Sequence, residues 1–589
     1  MMLKIAIKIT ATRKEGVSTQ SGKGNIATIS FKVPKDLKKG SVFTYCAQRG
    51  LISYNTEQEE GYTKSFATAQ ESIEVLAPLT IKADQMVVGF DGKIYVTDLD
   101  NKPVADASIY KGDEEIGKTN EEGYLQTDVL CQSAGKNTLY AAKGEDISYS
   151  INIQTTTTAG NEEGLPEYVI SNATTGSATS KNITWMSNPK SSDAKAIMQI
   201  AKTSDYDKDG EAAFKNIEGT SKLQSFLGSS DDNLNKTVRV NKVLETGLSK
   251  NTQYTYRVGD GKQWSEVKTF KTNRNGTNTN FFVIGDTQAS NQDNVDQIAA
   301  NLASDGNYSF GIQTGDSVDN AATYSHWTDV LQMFGGNYIG GVDMIHVLGN
   351  HEYMGDLNGD TAQNIYNLPN ARRYSVEYGN VYVATINYTT SKSQLKEDLD
   401  WLRQDAKASK CKWKVLTMHQ PAYYTNVAGS NEMINELVPG AAEEAGIDFV
   451  FSGHDHTYAR TEPLKDGEVN EKDGTVYYIC GSTGEKSYGI VNNPNFHFAI
   501  ATQDYNGIYL TASTTDDTFT VTTHDVDGSV IDSYTKSKSS EQCKDGHDYV
   551  YDGEYLTCNK CGNAKELGNY TGFVTEEKSG KKMYFINGK

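Results

Sequence analysis

Phe281-Phe-Val-Ile-Gly-Asp-Thr-Gln288 decides how this 589-residue chain is read. Four apolar residues in a row predict a strand buried on both faces, and the run stops at Gly-Asp. The pattern returns along the next 170 or so residues. Gly315-Asp316-Ser317-Val318-Asp319 follows Phe310-Gly-Ile-Gln313, and Gly349-Asn350-His351-Glu352 follows Met344-Ile-His-Val-Leu348. Met418-His419-Gln420-Pro421 follows Lys414-Val-Leu-Thr417, and Gly453-His454-Asp455-His456 follows Phe449-Val-Phe451. Helix-length amphipathic segments lie between, at Asp293 to Leu302, Gln394 to Ala408 and Asn431 to Ala445. Strands alternating with helices predict an α/β layered core, two sheets flanked by helices. Each signature falls where a strand ends, which is where open α/β sheets bind ligands.

Those signatures hold acids, amides and imidazoles, the donors that two adjacent divalent metals require. Such a pair, about 3.5–4 Å apart, needs one carboxylate in common and further ligands to complete each sphere. Asp316 is the natural bridge. Asp286 and His456 would complete one ion; Asn350, His419 and His454 would complete the other. Any one of these residues alone is uninformative, since a lone histidine is more often structural. Their order along the chain, each after a strand, carries the reading.

Composition narrows the rest. The chain has 53 Gly, 10 Pro and 35 Tyr, a mixture suited to turn-rich antiparallel modules. A formal net charge of −20 disfavours nucleic acid and anionic membrane as partners, because their phosphates would be repelled. No run approaches the roughly 20 apolar residues needed to cross a bilayer. The stretch Met1 to Lys14 is too short and interrupted in its apolar residues for a secretory signal. Cys46, Cys131, Cys411 and Cys480 are scattered and read as buried small hydrophobes.

The flanking segments predict separate modules. Residues 1–80 alternate apolar and polar, as in Ile26-Ala-Thr-Ile-Ser-Phe-Lys-Val33, and 82–153 give short strands between Gly, Asp and Asn turns. Gln154 to Gly164, small and polar, reads as a linker. A further all-β stretch, 165–275, has strand candidates Asn182–Ser187, Thr237–Val243 and Gln253–Val258. The catalytic candidate spans 278–525. Beyond it, Cys543, His547, Cys558 and Cys561 have a spacing able to wrap one structural zinc in segment 540–565.

Several of these stretches resemble known families. Leu348-Gly-Asn-His-Glu-Tyr353, Tyr374-Ser-Val-Glu-Tyr-Gly-Asn-Val381, His419-Gln-Pro-Ala-Tyr-Tyr424 and Gly453-His-Asp-His-Thr-Tyr-Ala-Arg460 look like a calcineurin-like metallophosphoesterase of the purple-acid-phosphatase-like branch. Residues 165–275 are similar to the fibronectin-type-III-like domain that precedes it in such proteins. More weakly, 1–80 resembles part of a cohesin-like sandwich, 82–153 a carboxypeptidase-regulatory-type Ig-like module, and 568–589 one unit of a choline- or glucan-binding cell-wall repeat. The resemblance to bacterial surface proteins implies a fragment of a longer exported chain, extracellular or at the cell surface, with cell-wall glycan as an attachment partner.

What the central resemblance implies is a phosphoesterase acting on small-molecule phosphomonoesters. Two divalent ions (manganese, iron or zinc) would hold a bridging hydroxide that attacks phosphorus in line. His351 would contact phosphate and protonate the leaving alkoxide, beside Asp316 as the bridge. Arg460, Tyr423 and Tyr424 are candidate substrate contacts, Arg460 equally a structural residue. Two departures stand out. Asp319 occupies the place of the family's iron-binding tyrosine, implying a colourless enzyme. Gln288 stands where many members carry histidine, so the first metal would bind loosely or prefer manganese or iron(II). Gln288 and Asp319 are candidates for ligands or for supporting residues. The alternatives are a phosphodiesterase or nucleotide-cleaving enzyme of the same fold, and a non-catalytic adhesion protein whose phosphoesterase domain has decayed.

Overall fold

The computed structural model describes residues 77–586, together with the backbone of four strands between 42 and 74. Residues 190–194, 275, 289–291, 337–338, 340, 427–431, 492–495, 506, 539–547, 552, 554, 561–563, 569 and 577–578 lie outside that description. The chain divides into two compact units. The smaller comprises 1–82, 95–124 and 140–151, and includes the antiparallel hairpin Ser108–Lys111 with Glu114–Lys118. The larger comprises 83–94, 125–139 and 152–589 and holds all five signatures.

Two sheets form the heart of the larger unit. In the first, β1 (Asn280–Ile284), β2 (Phe310–Gln313) and β3 (Asp343–His346) run parallel, joined by α1 (Gln292–Asp305) and α2 (Tyr324–Gly335). After the short helix α3 (Asp360–Tyr366) the chain crosses to the second sheet. That sheet contains β4 (Arg373–Tyr378), β5 (Val381–Ile386), β6 (Trp413–Met418), β7 (Phe449–Ser452), β8 (Tyr458–Thr461), β9 (Val476–Cys480) and β10 (Phe498–Thr502). Its order is β4-β5-β6-β7-β9-β8-β10, with β5, β6, β7 and β9 parallel. Helices α4 (Lys392–Ala408) and α5 (Glu432–Ala445) connect its strands. Finally β11 (Ile508–Thr514), β12 (Thr518–Asp525) and β13 (Val530–Ser537) return to the first sheet, β11 antiparallel to β1.

The apolar runs explain this layering. Successive side chains of a strand point to opposite faces. Phe281 and Val283 therefore enter the core between the sheets, against Phe310, Val415, Phe449 and Phe451. Phe282 and Ile284 pack outward on Val295, Ile298, Leu302 and Trp327 of α1 and α2. Leu416 and Val450 likewise face Leu395, Leu399, Val438 and Ala441 on α4 and α5. The result is four layers, helix, sheet, sheet, helix. Each fully buried Phe, Val or Ile contributes about 1.5–3 kcal/mol to holding them together.

The preceding all-β segment is fused to this core. Ser180–Ser187, Ile197–Lys202, Lys236–Thr246, Gln253–Gly259 and Lys268–Lys271 surround Ile183, Trp185, Met198, Tyr254, Tyr256 and Phe270. Its strand Glu167–Asn172 pairs in parallel with β3, Asn172 opposite Met344, so the first sheet runs on into it. The joint contains a buried cluster in which Lys181, Ser171 and Tyr378 all donate to the Asp343 carboxylate.

Two expectations change. Gln154–Gly164 is not a free linker, because Ile151–Thr158 is a strand pairing in parallel with Lys236–Thr246. Its threonines are β-branched, and Thr155 and Thr156 are fully buried, with Thr156 Oγ1 2.6 Å from Thr237 Oγ1. The first sheet also continues past residue 525, through β13 to Ser537. Of the zinc candidates, Cys558 is buried in the strand Tyr555–Cys558, whereas Cys543, His547 and Cys561 lie outside the described residues. No described helix is long and apolar enough to cross a membrane.

The Asp343 cluster supplies a stability test. Lys181→Met removes the cation and leaves a buried carboxylate with two neutral donors. A loss of about 3–5 kcal/mol is expected, read from the denaturant midpoint of the full chain at pH 7 against Lys181→Arg.

Candidate metal centre

Five loops converge at the strand ends. Asp286 follows β1, Asp316 follows β2, Asn350 and His351 follow β3, His419 follows β6, and His454 and His456 follow β7. Because β1–β3 and β6–β7 are parallel within their sheets, all five signatures emerge at one edge of the layered core. The residues adopt unusual backbone. Asp286 (φ 48°), Asp316 (53°), His454 (72°) and His456 (50°) lie in the left-handed region, which costs non-glycine residues energy and persists where surroundings impose it. Two glycines of the signatures are there for space. A Cβ on Gly349 would lie 2.2 Å from Asp316 Oδ1, and one on Gly453 2.3 Å from Asp286 Oδ2.

The side chains form two groups with one member in common. Ligand atoms of Asp316, His419 and His454 lie within 4.8 Å of one another, and so do those of Asp286, Asp316 and His456. In the first group His419 Nε2 is 3.0 Å from Asp316 Oδ2, 3.1 Å from Asn350 Oδ1 and 3.1 Å from His454 Nδ1. Ligands about 2.0–2.1 Å from a tetrahedral ion stand roughly 3.3 Å apart, so this set fits a small divalent cation. In the second, His456 Nε2 is 3.5 Å from Asp286 Oδ1.

Orientation comes from the surrounding loops. His419 Nδ1 lies 3.0 Å from the Thr314 carbonyl, which leaves Nε2 facing the centre. The His351 and Asp319 loops meet the same way, His351 Nδ1 donating to the Asp319 carbonyl at 2.8 Å. His351 Nε2 then stands 3.8 Å from Asp316 Oδ2. Glu352, fully buried, accepts from the backbone N–H groups of Asp316 (3.0 Å), Ser317 (2.6 Å) and Gly349 (2.7 Å). Asp455 accepts likewise from Thr425 and Asn426.

Ionisation follows from this crowding. Burial drives the Asp286 carboxyl well above its ordinary value, with His419 opposing and Asp316 adding to the rise. Burial and then Asp316 push Glu352 up to about 7. Burial also penalises charge on Asp316, but the His419 imidazole overrides it and holds that carboxyl low. Burial would lower His419, yet the Asp316 carboxylate raises it to about 9. Three carboxyls buried together, short of positive charge, are what a divalent cation would neutralise.

Residues 279–458 match the calcineurin-like phosphoesterase family, and 166–272 match the purple acid phosphatase N-terminal domain. This chain carries a calcineurin-like phosphoesterase domain. Purple acid phosphatase 21 of Arabidopsis thaliana is 29% identical over 118 residues, 19% of this chain and 27% of that protein. Purple acid phosphatase 17 of the same plant is 22% identical over 292 residues, 44% of this chain and 84% of that protein. The solved purple acid phosphatase from yellow lupin (Lupinus luteus) seeds shares the fold, with a TM-score of 0.53 at 15% identity, covering 78% of this chain and 96% of that one.

Other expected residues of the phosphoesterase domain fall elsewhere. Arg460 is 8% exposed and is held by Asp532 through Nε (2.7 Å) and Nη2 (3.2 Å), with Tyr534 against its face. Its phosphate role gives way to a structural one. Tyr423 is 7% exposed and packs in the core on Tyr477 and Phe496; Tyr424, half-buried, also packs on Phe496. Asp319 contributes through its main chain, as above. The Gln288 amide, oriented to suit its neighbours, donates to the Asp316 carbonyl (2.8 Å) and accepts from Lys486 Nζ (3.1 Å). Sequence reasoning missed Lys486 and Tyr488, whose ring lies 4.4 Å from that of His456. The signal was present: Gly481-Ser-Thr-Gly-Glu-Lys486 directly follows β9, another strand end at the same edge.

Glu352 gives the direct test of this architecture. Glu352→Gln sets an N–H against the loop donors and loosens the Asp316 turn. Divalent metal affinity is expected to fall about 10–100-fold, measured by competition with a chromophoric chelator.

Proposed function

We propose that this chain is a metal-dependent phosphoesterase that hydrolyses small phosphate monoesters at the Asp316 centre. The observation that carries the reading is the pair of ligand groups sharing Asp316, with His351 Nε2 beside the shared carboxylate. Asp286, Asp316, Asn350, His419, His454 and His456 would hold two divalent cations, which would supply Lewis-acid charge toward phosphoryl oxygens and lower the pKa of a bound water.

The protein's own part is positioning and proton delivery. Asp316 Oδ1 accepts the His351 N–H at 2.9 Å, so the bridge and the imidazole move as one element. With Nδ1–H donated to the Asp319 carbonyl, the second ring proton of a His351 imidazolium would sit at Nε2, 3.8 Å from Asp316 Oδ2. That nitrogen gives the proton to the departing alkoxide, whose oxygen is otherwise a poor leaving group. Glu352 keeps the Asp316 and Gly349 turns at fixed separation. The presence of a purple acid phosphatase N-terminal domain supports monoesters over diesters. The Tyr-, Thr- and Asn-rich β modules support a place outside the cell.

A chromogenic aryl monoester and the matching diester, assayed on manganese-, zinc- and iron-loaded full-length protein, test the proposal. The monoester should be cleaved faster. Asp316→Asn should abolish turnover, and His351→Gln should lower kcat about 10²–10⁴-fold with metal content unchanged. Faster diester cleavage would move the reading to a diesterase. A metal-loaded chain inert toward both esters would end it.

A further inference from the structure

The two ligand groups are not built alike. Around His419 Nε2, four donors close on one point: Asp316, Asn350, His419 and His454. Around Asp286 there are Asp316 and His456. The Asp319 carboxylate is about half exposed and lies 3.9 Å from His351 Nδ1. The Gln288 amide oxygen, 1% exposed as a residue, accepts the Lys486 ammonium at 3.1 Å.

That ammonium sits against the Asp286 half of the centre. Gln288, its acceptor, is bonded through the other end of its amide to the Asp316 carbonyl. The backbone leading to Lys486 is close by as well, since a Cβ on Gly484 would lie 3.5 Å from the Gln288 carbonyl oxygen and 3.7 Å from that of Asp286. Ser482 Oγ donates to the Asp286 carbonyl at 3.1 Å, and Thr483 N to Gly285 at 2.7 Å, which pins the loop. On the far side Lys486 Nζ lies 5.2 Å from the Tyr488 ring, which itself covers His456. A fixed monovalent cation among these ligands repels a divalent one at short range, where solvent screens poorly.

We propose that the centre is asymmetric by construction: Asp316, Asn350, His419 and His454 form a tight divalent-cation site, and Lys486, anchored on Gln288, makes the Asp286–Asp316–His456 site a weak, exchangeable one. The neutral Gln288 removes a ligand, and the ammonium it holds adds repulsion. This rests on the metal centre proposed above but not on its turnover. Lys486 therefore acts through charge, as a determinant of metal occupancy.

The experiment reads bound metal. Metal-stripped full-length protein is titrated with manganese by calorimetry, and metal retained after desalting is counted by plasma mass spectrometry. Wild type should retain about one ion per chain and take a second at least about tenfold more weakly. Lys486→Met should tighten the weak site about tenfold or more and leave the tight one unchanged. Lys486→Arg, which keeps the charge, should preserve the inequality, and His419→Ala should remove the tight ion. Thermal unfolding of each variant checks that it is folded. Two equal sites in wild type, or unchanged constants in Lys486→Met, would overturn the proposal. A chain that binds metal unequally yet cleaves no ester would count against the phosphoesterase reading alone.

Discussion

A single buried carboxylate organises this molecule. Asp316 belongs to both ligand groups, accepts the His351 backbone N–H, and has its own N–H held by Glu352. Burying it without partners would cost several kcal/mol. The surrounding donors therefore have to come from separate loops, and the fold must hold those loops still.

The layered core meets that demand. Apolar strands with no polar face can be stable only between two other layers. Here one face is covered by the opposing sheet and the other by helices. Parallel strands then deliver their C-terminal ends together, and residues more than 160 apart in sequence meet, as where the His454 backbone N–H donates to the Asp286 carboxylate. The all-β segment is part of the same frame. It extends the first sheet and seals it with the Lys181–Asp343 pair, so the domain behind the catalytic sheet is fastened by a desolvated charge as well as by strand pairing.

Legibility in sequence depended on how local each determinant was. The signatures could be read because each is a strand end followed by metal-ligand side chains, and at Gly349 and Gly453 a neighbouring ligand carboxylate leaves room only for glycine. The threonine run at 155–158 was misleading because its composition suits both a linker and a strand. What decides for the strand is a partner, Lys236–Thr246, nearly eighty residues away. Arg460 and Tyr423 looked like substrate contacts because they lie beside ligand motifs. Side chains alternate across a strand, and that of Arg460 in β8 turns to Asp532; Tyr423, in the loop after β6, packs on Phe496.

The amino-acid sequence by itself determined the alternation of strand and helix and the chemical types at each strand end, since both follow from local pattern and donor chemistry. Only the tertiary structure decided which donors share a point in space, that Gln288 answers to Lys486, and that the Asp319 main-chain carbonyl accepts from His351. Those outcomes depend on the register and crossing of strands far apart in the chain, and no local pattern encodes the direction in which a loop side chain finally points.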